Sequence, residues 1–301
     1  MHRRIVLLLG VCLLLVVSLR GSADARGSEP LRLMSYNVRT SGAKDGENAW
    51  SKRKDFFFET IRQFGPTLIG FQEVRADQYD EIVARLTDYG FCGVARDDGK
   101  RQGEWALIGY RKQRFTPVTH GDFWLSEQPE VAGSKSWDAA LTRICSWVRL
   151  RDQATGRELV YANTHFDHKG VVARQEASRV LSVRLSKIAA GVPAILTGDL
   201  NINEDNPAYG VLVRPDTPGA IRWIDSFREV HPQREPEEAS FHAFKGTTTG
   251  SRIDFIFHTD HFAASASAIV RSAAPNGRYP SDHYPVTAVL ELREVGVARA
   301  K

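Results

Sequence analysis

Leu196-Thr197-Gly198-Asp199-Leu200-Asn201 is the stretch on which the fold turns. It closes an apolar run, Pro193 to Thr197, that reads as a buried strand. Before it, a helix covers about Val172 to Ala190, with Leu181, Leu185 and Ile188 on one face. Earlier still, Leu159 to Thr164 is extended. Strand, helix and strand in that order belong to a layered α/β fold. If the last strand continues past Gly198, Asp199 and Asn201 stand two residues apart and project on one side. Phosphoester hydrolysis needs a group that orients or deprotonates water, and this pair would serve. The plainer alternative is a strand-to-helix loop capped by Asn201, since Asn206-Pro207 marks a helix start just beyond.

The same alternation extends in both directions. Leu31 to Asn37 is a strand, and Phe57, Ile61 and Phe64 share a helix face in a segment capped near Asn48. Thr67 to Phe71 is a short strand, and Tyr79, Ile82, Val83 and Leu86 line a second helix. The middle is rich in strands: Trp105 to Tyr110, Phe115 to Leu125, and Ile144 to Leu150, the last turning back through Asp152 to Gly156. After Trp223 the pattern weakens, and His231 to Glu238 is a Pro/Glu-rich surface loop. Arg252 to Phe257, about Ala266 to Val270, and Val286 to Leu292 are further strands. Nothing in this run reads as a linker or repeat, so residues 28–301 form one α/β domain. At 42% hydrophobic and 25% charged residues, long disorder is excluded.

The N-terminus is a separate object. Arg3 and Arg4 precede an apolar run from Ile5 to Leu19, and small residues follow through Ala23-Asp24-Ala25. That run is short for a membrane span and fits a signal peptide over residues 1–25, hence a secreted or periplasmic protein; an uncleaved N-terminal anchor is the alternative. The segment carries three arginines against one aspartate, so of the formal +4 the mature chain keeps only about +2. A protein that grips nucleic-acid backbone shows a stronger basic bias. Cys92 and Cys145 remain after cleavage; both fall in strand-like runs, and pairing or burial as free thiols stays open.

The chemically able residues sit at strand ends, where a layered scaffold presents a site. Asn37 ends the first strand, Glu73 follows Leu68-Ile69-Gly70-Phe71-Gln72, and Asp282 precedes the last strand. Two carboxylates and an amide oxygen suit a hard divalent cation that retains several waters. Singly, each also reads as a turn or cap residue. His165 closes one strand and His283 follows Asp282. A histidine that moves a proton needs its second ring nitrogen held, and Glu104 and Asp254 are the candidate holders.

Taken together, Met34-Ser35-Tyr36-Asn37, Gln72-Glu73, Asn163-Thr164-His165, Gly198-Asp199-Leu200-Asn201, Arg252-Ile253-Asp254-Phe255 and Ser281-Asp282-His283 resemble, in order, the motifs of the endonuclease/exonuclease/phosphatase superfamily, which includes pancreatic deoxyribonuclease. The resemblance implies a four-layer α/β sandwich, two stacked mixed β-sheets flanked by helices. It makes Glu73 the main ligand of Mg²⁺ or Mn²⁺, with Asn37 and Asp282 completing or supporting the site. Asp199 becomes the water-orienting base, and Asn201 positions phosphate. His283 is held by Asp254, and His165 by Glu104. Arg143 contacts phosphate, and Asn163 falls with the substrate-binding residues. Gly46-Glu47-Asn48-Ala49-Trp50, Phe123-Trp124-Leu125-Ser126 and His165-Phe166-Asp167-His168 are similar to runs in bacterial exported metal-dependent hydrolases.

The expectation is a monomeric metal-dependent phosphoesterase, with a small-molecule, sugar or lipid phosphate favoured over nucleic acid. His168 and Trp137 are candidates to line such a pocket. An exported nuclease is the rival: Arg75 resembles a groove-contacting arginine, while the low charge and Asp97-Asp98 oppose it. A non-catalytic binding protein on the same scaffold is the third reading, opposed by the complete polar set.

Overall fold

The structure is a computed structural model that describes residues 29–274 and 277–293. The proposed export segment, residues 1–25, lies outside them. In chain order the elements are β1 (Leu31–Asn37), α1 (Trp50–Phe64), β2 (Leu68–Val74), α2 (Ala76–Arg85), β3 (Tyr89–Cys92) and β4 (Trp105–Arg111). Next come β5 (Phe115–Trp124), β6 (Ile144–Asp152), β7 (Glu158–His165), α3 (Val171–Ala189), β8 (Ala194–Asp199) and α4 (Pro207–Val213). The last are β9 (Ile224–Asp225), α5 (Ser226–Val230), β10 (Asp254–His258), β11 (Phe262–Ile269) and β12 (Val286–Leu292).

These strands make two six-stranded mixed sheets, ordered β11-β12-β1-β2-β4-β3 and β5-β6-β7-β8-β10-β9. Each sheet has a single parallel pair at its centre, β1 with β2 and β7 with β8. The chain crosses between the partners through a helix, α1 in one sheet and α3 in the other. Three apolar layers hold the stack. Leu33, Leu68 and Ile108 of the first sheet meet Tyr161, Ile195 and Ile256 of the second between the sheets. Phe57, Phe58 and Ile61 of α1 pack on the outer face of the first sheet, and Leu181 and Leu185 of α3 on that of the second. The expected four-layer sandwich is therefore present.

A polar clasp crosses the middle. Asn163 on β7 donates to Phe71 O (2.8 Å) and Leu107 O (3.0 Å) of the first sheet, and its oxygen accepts from Gln72 Nε2 (2.7 Å) and Thr197 Oγ1 (3.0 Å). Every hydrogen-bonding position of the amide is engaged. Asn163 is thus a structural residue with no free group for substrate, a correction to its reading as substrate-binding. Gly70 permits this close approach: a Cβ there would lie 2.1 Å from Thr197 Oγ1 and 2.5 Å from Asn163 Oδ1.

Arg53 of α1 is buried, and its guanidinium donates to the carbonyls of Val38, Arg39, Asn48 and Pro280, tying the loop after β1 to the segment before β12. Cys92 and Cys145 are buried free thiols on different sheets. Among the described residues, no helix is long and apolar enough to cross a membrane.

Candidate active site

Parallel strands direct their C-terminal ends to one edge of a sheet, where crossover geometry leaves a crevice. Asn37 and Glu73 stand at those ends of β1 and β2, His165 and Asp199 at those of β7 and β8. Antiparallel neighbours begin at the same edge, so Asp254 opens β10, with Glu104 just before β4 and Arg143 just before β6. The register sets Asp199 opposite both His165 and Asp254.

Two backbone departures aim side chains into the crevice. Glu73 has φ +64° at the bulge where β2 slips against β4 between Phe71 and Val74. A left-handed glutamate costs about 1–3 kcal/mol, and such strain gathers at functional sites. Asn201 has φ +50°, so β8 ends at Asp199 and does not run on. The chain folds back: Asn201 N–H donates to Asp199 Oδ1 (2.9 Å), and its amide meets His165 Nε2 (3.0 Å) and Phe166 O (3.1 Å). The premise of a continuing strand is corrected, though the two residues still meet. The helix cap is Asn206, with Pro207 first in α4.

Glu73, Asp199 and His283 each offer a ligand atom, all within 4.8 Å of one another, close enough for one small cation. Asn37 braces two of them, its Nδ2 lying 3.0 Å from both Glu73 Oε1 and Asp199 Oδ2. Its oxygen accepts Arg39 N–H (2.9 Å), so Asn37 supports the carboxylates instead of presenting its own oxygen. Glu73 also accepts Thr40 N–H at 3.0 Å. The Asp282 carboxylate lines the same cleft but is not one of this trio; it lies 3.6 Å from the Arg39 guanidinium.

Electrostatics follow from crowding. Burial, then the charge of Asp254, lifts Asp199 to about 7. Burial alone would raise Glu73, but His283, Asn37 and the Thr40 N–H outweigh it and hold Glu73 low. His283 is also buried, which disfavours its cation. Its Nδ1 lies 2.9 Å from Asp254 Oδ2, and that partner carries its affinity for a proton well above the ordinary range. His165 goes the other way: burial and then Arg143 keep it neutral.

Glu104 does not hold His165. Its carboxylate pairs with Arg96 Nη1 at 2.6 Å, and His165 Nδ1 is buried with no partner. The pairing expected from the resemblance is corrected here: Arg96, on the loop before β4, draws the carboxylate away. Arg143 is buried beside Asp167 (3.5 Å) and His168 (3.2 Å), with one terminal nitrogen unpartnered.

The open cleft over this floor has a volume of about 390 Å³. Glu104, Arg143, His165, His168 and Asn201 line it; Trp137 and Arg75 do not. Arg75 is exposed and joins the capping box of α2 through Gln78. Asp98 turns back onto the backbone of its own loop at Lys100 and Gln102. Sequence reasoning missed Arg39, Leu141, Phe241 and Ile253 on the cleft wall. Phe241 left one signal, an aromatic stranded between a polar loop and Arg252-Ile253-Asp254.

Two stacked mixed sheets with acids, amides and imidazoles at one edge define the phosphoesterase class. The chain belongs to the Endonuclease/Exonuclease/phosphatase family, whose model matches residues 34–283, and enzymes of this family use divalent metals. Among solved structures it is similar to a mannosyl-6-phosphatase of Bacteroides thetaiotaomicron, with 33% identity, 86% of this chain and 99% of that one covered, and a TM-score of 0.78. A second family protein of that organism shows 32% identity over 88% of this chain and all of that chain, with a TM-score of 0.79. Nocturnin of Drosophila melanogaster is 25% identical over 90% of this chain and 48% of its own length. The chain spans 32% and 48% of the length of the two curated relatives it matches.

Proposed function

We propose that this chain hydrolyses the phosphomonoester of a small, sugar-like molecule with Mg²⁺ or Mn²⁺. The observation that carries the reading is the meeting of Glu73, Asp199 and His283 at the floor of a cleft of about 390 Å³, a size suited to a small ligand. Likeness to the Bacteroides mannosyl-6-phosphatase supports the substrate class.

The carboxylates of Glu73 and Asp199, already braced by Asn37, fit a hard divalent cation. Glu73 would anchor it with Asp199 in reach, while His283, kept protonated by Asp254, stands beside the pair. When bound, the cation supplies Lewis-acid stabilisation of the phosphoryl oxygens. The remaining work belongs to the chain. Asp199, fixed by Asn37 and the Asn201 N–H, orients the attacking water and takes its proton. His283, fixed by Asp254, and the buried Arg143 face the phosphoryl charge as it develops. Asn201 donates to Nε2 of neutral His165, which fixes the ring beside Asp199 without adding a charge. Residues 5–19 further support work outside the cytoplasm.

A Mn²⁺-dependent panel of hexose phosphates, p-nitrophenyl phosphate, bis-p-nitrophenyl phosphate, plasmid DNA, RNA and phospholipids tests this. Monoesters are expected to turn over fastest. Nicking of plasmid at nanomolar enzyme, with monoesters untouched, would instead establish a nuclease.

A further inference from the structure

Phe241 is 46% exposed, yet it stands on the wall of a cleft whose floor is charged. Water contact with that much aromatic surface is unfavourable, and nothing in the phosphoryl chemistry uses it. Its position is nonetheless fixed. Phe241 bridges to His283 as an isolated antiparallel pair. Ser240 O accepts Tyr284 N–H at 2.7 Å, and His242 N–H donates to Asp282 O at 2.9 Å. Ser240 Oγ accepts the N–H groups of Ile253 and Asp254 at 2.9 and 3.1 Å. The Phe241 ring centre lies 5.0 Å from that of His283, so the aromatic surface begins where the phosphoryl site ends.

The same cleft carries a second kind of surface. Glu104 has one oxygen on Arg96, Arg143 has a terminal nitrogen without a partner, and His168 is exposed beside Arg143. A carboxylate acceptor and an exposed imidazole in one cleft match neighbouring hydroxyls, each of which both gives and takes a hydrogen bond. Leu141 (42% exposed) and Ile253 complete the apolar portion.

Resting on the hydrolase reading above, we propose that Phe241 is the platform of a leaving-group subsite for a pyranose ring. The ring's C–H face would lie on Phe241, with its hydroxyl edge towards Glu104 and His168. A pyranose is apolar on its faces and hydroxylated at its rim, the combination this cleft presents. An open-chain phosphoester has no face for Phe241 to cover. The base of a nucleoside monophosphate would also cover Phe241, so nucleotide binding is the rival outcome that the test separates.

The test measures binding separately from turnover. Isothermal calorimetry on the Mn²⁺-loaded protein compares a hexose 6-phosphate, glycerol 3-phosphate, a nucleoside monophosphate and inorganic phosphate. The wild type is expected to bind the hexose phosphate about tenfold more tightly than inorganic phosphate. Phe241→Ala should erase most of that margin, and Phe241→Trp should keep it. Equal affinity for sugar phosphate and inorganic phosphate overturns the subsite and leaves hydrolysis standing. A nucleotide preference that Phe241→Ala abolishes also overturns it, since the platform then holds a base. Sugar-selective binding without any turnover would sink the hydrolase reading and retain the subsite.

Discussion

His283 is the residue on which the site's charge balance turns. Its ring is buried, yet Asp254 Oδ2 at 2.9 Å keeps a proton on Nδ1, leaving Nε2 to face Asp199 at 3.8 Å. Replacing Asp254 with Asn keeps the shape and removes the charge, so the imidazole loses its fixed tautomer and its cationic form. Asp254→Asn should lower kcat by about 10²-fold or more with KM little changed, as expected when a proton-handling group is disarmed. Steady-state kinetics beside a thermal melt checks this; a folded variant with wild-type kcat would refute the role. Single residues were legible here in unequal measure. Asp254 was legible because it stands in the ordered motif Arg252-Ile253-Asp254-Phe255 and a proton-moving histidine needs a holder. Asn163 misled because a buried amide in a motif looks the same whether it meets a ligand or clasps two sheets. Glu104 misled because its true partner, Arg96, lies on a loop whose path no periodicity encodes.

At the level of elements, the turn from β7 into α3 controls the cleft wall. Asp167 there accepts the N–H groups of Lys169 (2.9 Å), Gly170 (2.7 Å) and Leu141 (3.0 Å), and stands beside Arg143. Burial opposes its ionisation, but the converging N–H groups of Gly170, Lys169 and Leu141 win and hold the carboxyl far below its usual value. A depressed folded-state value means the unfolded chain takes up the proton first. The stabilisation is therefore complete above the unfolded aspartate value of about 3.9 and is lost as pH falls below it. Asp167→Asn should be less stable than wild type at neutral pH, with the gap narrowing towards pH 2–3, as urea unfolding at both extremes would show. A gap constant with pH would place the stabilisation elsewhere. The elements themselves were largely readable, since α1, α3 and the long strands repeat apolar residues at helical or alternating periods. The short elements β9 and α5 were not, because a few residues carry no period and their pairing depends on distant neighbours.

For the whole molecule, the two sheets close around an edge that gathers Glu73, Asp199, Asp254 and Asp282 with His283, His165 and Arg39. Three apolar layers hold the sheets and helices together beneath this charged edge. Yet the carboxylates repel: Asp254 lifts Asp199, and Glu73 adds to the burial that lifts Asp282. A cation held by Glu73 and Asp199 would relieve that repulsion only in the folded chain, and whatever binds only the folded chain stabilises it. At a hundredfold excess over its dissociation constant it contributes about 2.7 kcal/mol, which for a domain of this size raises Tm by roughly 5–10 °C. Thermal melts with EDTA and with saturating Mn²⁺ should show that rise, and Glu73→Gln should remove most of it while retaining a cooperative transition. The order of the motifs along the chain conveyed the existence of such an edge, but not its ligand trio. That depended on the Glu73 bulge and the Asn201 turn, two left-handed residues whose conformations only the closed sheets impose. A melt in which the metal effect persists undiminished in Glu73→Gln would move the cation away from this trio, and the roles given to Asp199 and His283 would move with it.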